Sequence, residues 1–75
     1  MTDSFAHKYP HIDKWVFEHG WIELGSDDFS ASFIRALDIG GMIWEGKQSY
    51  DSIDEVLDDL EQALAEWMKE NGLMK

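Results

Sequence analysis

His7 and His11 stand four residues apart, and His19 lies eight residues further on. Two histidines at i and i+4 can share a metal ion when both face the same side of a helix, so these three are the candidate ligands of a small metal-binding protein. Pro10 falls between the first two, and a proline is best tolerated as the first residue of a helix. That places His7 outside the helix that carries His11. The simpler reading is two unrelated surface histidines and a third near a helix end, and no metal or cofactor is expected.

Other residue groups with chemical potential are incomplete. Ser26-Asp27-Asp28 lacks the spaced oxygen ligands and distal glutamate of a calcium loop and reads as a solvated turn. Gly40-Gly41 is followed by no Gly-Lys-Ser/Thr and opens no helix, so it is not a phosphate cradle. No serine sits in a Gly-x-Ser-x-Gly elbow. Asp58-Asp59 is a carboxylate pair on a helix face, whereas a general acid needs a shielded pocket. Catalytic residues are therefore not assigned, and the chain is read as non-enzymatic.

Bulk properties restrict the remaining choices. A chain of 75 residues without cysteine has no disulfide or thiolate zinc site to support its fold. Four Trp, four Phe, two Tyr and four Met must do so by packing, each buried aromatic removing roughly 150–250 Å² from water. Six Lys and Arg against 16 Asp and Glu give a formal net charge of −10. A field of that sign repels phosphate backbones and anionic membranes, so direct nucleic-acid and membrane binding are not expected, whereas a basic protein partner is favoured. The same charge serves solubility. The first nine residues lack the apolar core of a signal peptide, which points to the cytoplasm.

The elements that position these residues follow from periodicity and turn signals. Residues 1–8 are polar and expected to fray. Ile12, Trp15, Val16 and His19 share one face at helical spacing, and Gly20 stops the run, so a helix is expected over 10–19. Strands are expected over 21–25, 29–38 and 41–46, separated by Gly25-Ser26-Asp27-Asp28 and Gly40-Gly41. Connections this short favour antiparallel neighbours. Ser52-Ile53-Asp54-Glu55 fits a capping box. Ile53, Val56, Leu57, Leu60, Ala63, Leu64, Trp67 and Met68 then recur at steps of three and four until Asn71-Gly72, where Leu73 can fold back on Met68. This last helix, over 52–71, carries seven acids against the single base Lys69. The expected fold is one α+β domain over 1–75: a short helix, a three-stranded antiparallel meander, and an amphipathic helix packed on one sheet face (α-β-β-β-α).

The tryptophans separate into two groups. Trp15 and Trp67 lie on helical stripes and belong in the core. Trp21 and Trp44 sit on short strands with apolar residues on both sides. If both helices cover one face of the sheet, apolar side chains remain on the other, and exposed aromatic patches mark interaction sites. The candidate partner-binding residues are Trp21, Trp44, Asp58 and Asp59. The partner is another protein, or a second copy paired through the sheet edge or open face.

Asp38-Ile39-Gly40-Gly41-Met42, then Glu45-Gly46, then Ser52-Ile53-Asp54-Glu55-Val56-Leu57 and Ala63-Leu64-Ala65-Glu66-Trp67 follow in order across residues 21–68. This succession of meander, glycine, short loop and acidic amphipathic helix resembles the small module of HicB-type antitoxins. The Pro and Cys of that family's turn are absent here, and the helix over 10–19 is additional. The resemblance implies a β-β-β-α module that binds and masks a basic, RNA-cleaving toxin.

Overall fold

A computed structural model describes residues 3–25 and 32–72. Among them the order is α1 (Asp3–Lys8), α2 (Pro10–Lys14), a π-helical turn (Trp15–His19), β1 (Gly20–Leu24), β2 (Ile34–Asp38), β3 (Gly41–Glu45) and α3 (Ile53–Glu70). The strands form an antiparallel sheet in the order β1-β2-β3, so the fold is α+β with the expected meander and C-terminal helix. Ser26-Asp27-Asp28 and Leu73 lie outside the described residues.

α3 forms for the reasons its sequence advertises. The Glu55 amide donates to the Ser52 hydroxyl oxygen at 3.2 Å, satisfying one free N–H of the first turn. Glu55 reaches back to accept from the Asp51 amide at 3.2 Å, one residue earlier than the usual capping box. Val56, Leu60, Leu64 and Met68 are buried along one stripe. At the far end, the Asn71 amide donates to the Trp67 carbonyl at 3.0 Å, and Gly72 adopts φ +73°, the left-handed stop that favours glycine.

The first half of the chain departs from a simple ten-residue helix. Residues 1–8 were expected to fray, yet Asp3–Lys8 is helical. The Tyr9 amide continues this turn by donating to the Phe5 carbonyl at 2.8 Å, and the two rings stand 5.1 Å apart. Pro10 opens α2 as expected, but Trp15–His19 widens to π geometry, with the Gly20 amide donating to the Trp15 carbonyl. A π turn inserts an extra residue into the helical register. Val16, expected in the core, is consequently 43% exposed and Phe17 80% exposed, while Trp15 stays fully buried.

Trp15 is the hub between this segment and the sheet. Its indole N–H donates to the Trp21 carbonyl at 3.3 Å and the Leu37 carbonyl at 3.2 Å. Its ring meets Trp67 of α3 edge-on at 5.3 Å, an arrangement aromatic quadrupoles favour. Gly20 permits this closeness, because a Cβ there would overlap the Leu37 carbonyl.

The middle strand is shorter than the expected 29–38. It begins at Ile34, with Phe33 in a bend, and residues 29–31 lie outside the described part. The bend has a local cause: the Arg35 guanidinium donates to the Ser32 carbonyl at 2.6 Å and to its hydroxyl at 3.3 Å, and such bonds compete with a strand ladder. The core lies between one sheet face and the helices, formed by Tyr9, Ile12, Trp15, Ile34, Ala36, Val56, Leu60, Leu64 and Met68.

Candidate functional site

Strand pairing decides which side chains share the face turned away from α3. Directly paired residues of an antiparallel ladder point to the same side, and successive residues alternate. Ile34 and Ala36 are buried beneath α3. Trp21, Glu23, Arg35 and Leu37 therefore belong to the opposite face, since Trp21 pairs Leu37 and Glu23 pairs Arg35. β3 adds Met42 opposite Leu37 and Glu45 opposite Arg35.

The open face thus carries two rows across the three described strands. One is apolar, Trp21–Leu37–Met42, with Trp21 46% and Met42 51% exposed. The other is charged, Glu23–Arg35–Glu45. Two residues of strand separate them, about 6.6 Å at the usual rise. Arg35 is buried within its row. Its Nε donates to Glu23 Oε1 at 3.2 Å and its other nitrogens to Ser32 and Gly25. Trp21 Nε1 also faces Glu23, at 3.4 Å from Oε2. Glu23 and Glu45 are exposed, so the apolar row is bordered by carboxylates.

The sequence grouped Trp21 with Trp44, and the structure separates them. A β-bulge between Ala36 and Leu37 shifts the register of β3, so that Met42 and Trp44 fall on opposite faces. Trp44 pairs Ala36 and packs against the core, with its ring beside Gly46 and Ile34. A bulge re-aims side chains in this way, and nothing in the local composition around Gly41 announces it. Leu37, by contrast, was readable from its alternation with Arg35.

Asp58 and Asp59 are adjacent in sequence but differ in setting. Asp58 is exposed on α3, away from the sheet. Asp59 is partly buried and accepts the Tyr50 hydroxyl proton at 2.6 Å. That hydroxyl in turn accepts the Lys47 amide at 3.0 Å, and the Lys47 ammonium sits 4.9 Å from the ring centre. Burial, then the bond to Asp59, raises the Tyr50 pKa above its ordinary value. Asp59 therefore anchors the β3–α3 loop, and Asp58 lies on the side of the domain opposite Trp21.

The histidines are not brought together. His11 Nδ1 lies 2.5 Å from Glu61 Oε2, and the same carboxylate accepts the His11 and Ile12 amides at 3.0 Å. His19 stacks against Trp15 at 5.6 Å, with Nε2 buried and lacking a hydrogen-bond partner among the described residues. His7 is exposed in α1. Among the described residues no three His, Asp or Glu side chains are grouped to hold a metal. Beside His11, Ala65, Glu66 and Lys69 line a shallow groove of about 290 Å³. No helix among the described residues is long and apolar enough to cross a membrane. Compared with known proteins, the chain matches no family model, no curated protein and no solved structure.

Proposed function

We propose that the protein is a small, acidic, non-enzymatic interaction module of the cytoplasm that docks another protein on its open sheet face. The observation that carries this reading is the apolar row Trp21–Leu37–Met42, with Trp21 and Met42 exposed and Leu37 half-buried between them, set on the face opposite α3. Aromatic residues and methionine are enriched where proteins meet, and a contiguous apolar row with a charged border has the anatomy of an interface core and rim. The test is site-specific photo-crosslinking in the native host, with the reactive residue at position 21, 42 or 58. Crosslinks to another protein at 21 and 42 but not at 58 are expected; their absence at 21 and 42 would remove the proposal.

The β1-β2-β3-α3 order with acids along α3 favours a narrower second reading, an antitoxin-like neutraliser of a basic RNA-cleaving toxin. Its test is co-expression with small basic ribonucleases of the native host. Growth arrest by a nuclease alone, relieved by this protein, is the expected result, and unrelieved arrest counts against it.

A further inference from the structure

We infer that the occupant of the open face is a single basic amphipathic helix of the partner protein, an inference that rests on the interaction reading above. Width is the first argument. Three strands at about 4.8 Å spacing present a face about 10 Å across, which matches the 10–12 Å diameter of one helix with its side chains. On the other face of the same strands, α3 packs its apolar stripe over β2 beside Tyr9, Ile12 and Trp15 of the N-terminal segment, so the sheet already seats one helix of this length.

The spacing of the two rows supplies the second argument. The apolar row and the carboxylates of Glu23 and Glu45 lie about 6.6 Å apart along the strands, close to the separation of residues three or four apart on a helix surface. A helix that sets an apolar side chain among Trp21, Leu37 and Met42 can place a Lys or Arg from the next turn over Glu23 or Glu45. Arg35 already pairs with Glu23 through Nε at 3.2 Å, so the exposed Glu45 is the better seat for the partner's base.

Charge selects the partner over a second copy of this chain. Each copy carries a formal net charge of −10, and two open faces brought together would oppose their bordering glutamates. The long amphipathic helix among the described residues is α3, whose stripe Val56, Leu60, Leu64 and Met68 is already buried in its own core.

The experiment titrates the full-length, isotope-labelled protein with two synthetic helical peptides that share a leucine stripe, one flanked by lysines and one by glutamates. The lysine peptide should bind and shift the amide signals of Trp21, Glu23, Leu37, Met42 and Glu45, and the glutamate peptide should not. Met42→Lys should weaken binding about tenfold, the loss of one well-placed contact, as should Glu45→Gln at low salt. Asp58→Asn, on the far side of the domain, should leave affinity within about twofold. Shifts centred on α3, equal binding of both peptides, or full affinity in Met42→Lys and Glu45→Gln would each overturn the inference. Crosslinks at positions 21 and 42 to a partner whose contact segment is acidic or extended would overturn it while leaving the interaction module standing. Loss of those crosslinks would remove both.

Discussion

The Glu61 carboxylate on α3 closes on His11 Nδ1 at 2.5 Å while accepting the His11 and Ile12 amides at 3.0 Å. One side chain thus caps a helix from a different element, 50 positions away in sequence. Tyr9 precedes α2 without a side-chain cap of its own, so the free amides of the first turn depend on this distant acceptor.

Glu61→Ala should therefore destabilise the protein by about 1–3 kcal/mol, the cost of leaving partly buried donors unpaired. Glu61→Gln keeps one acceptor oxygen and should lose less. Urea unfolding monitored by tryptophan fluorescence measures both, and equal stability of Glu61→Ala and the parent would show the cap to be dispensable.

Gly20→Ala should cost about 1–3 kcal/mol through overpacking, because the added methyl meets the Leu37 carbonyl and not a movable side chain. The backbone there has φ −165°, an extended conformation open to any residue, so the penalty is purely one of space. Gly40→Ala, whose nearest neighbour is an Asp38 carboxylate oxygen at 3.3 Å, should be milder. Thermal unfolding of the pair tests the contrast.

Trp15 and Trp21 are both tryptophans near the start of β1, yet opposite behaviour is expected. Trp15→Phe removes an indole N–H shared by two backbone carbonyls and opens space in the core, for about 1–3 kcal/mol. Trp21→Ala removes a half-exposed side chain and should stay within about 1 kcal/mol. Chemical denaturation of each decides; a larger loss in Trp21→Ala would mean that the open face is part of the core.

Tyr50 links stability to alkaline pH. Burial and the bond to Asp59 raise its pKa above the ordinary 10.0, so the folded state holds the phenolic proton more tightly than the unfolded chain. The stability from this preference is complete below about pH 10 and is lost as pH rises through the folded-state value. Tyr50→Phe should lower stability near neutrality, where Asp59 and the Lys47 amide lose their partner. It should also flatten the decline above pH 10. Denaturant midpoints across that range, with tyrosinate absorbance followed in parallel, measure both effects.

Several elements were legible in the chain because their causes are local. α3 announced itself through Ser52, an unbroken apolar stripe and Asn71-Gly72, each acting within a few residues. Gly40-Gly41 marked the hairpin, where Gly41 adopts φ +122°. Ser32 and Arg35 shortened the middle strand by a short-range bond that alternation alone did not reveal. The N-terminal third was less readable. Asp3–Lys8 is helical with Phe5 against Tyr9, an end effect that composition did not signal.

By itself, then, the sequence determined the order of elements from Pro10 onward, the antiparallel meander and the stripe by which α3 packs, since propensity, period and capping act over a few residues. Tertiary structure decided which face each aromatic occupies. The widened turn at Trp15–His19 moved Val16 outward, the bulge beside Leu37 sent Trp44 to the core and Met42 to the open face, and α3 lent Glu61 to a helix it meets only after folding. These outcomes depend on register and on contacts between distant segments, and a shift of one residue reverses the side to which every following side chain points.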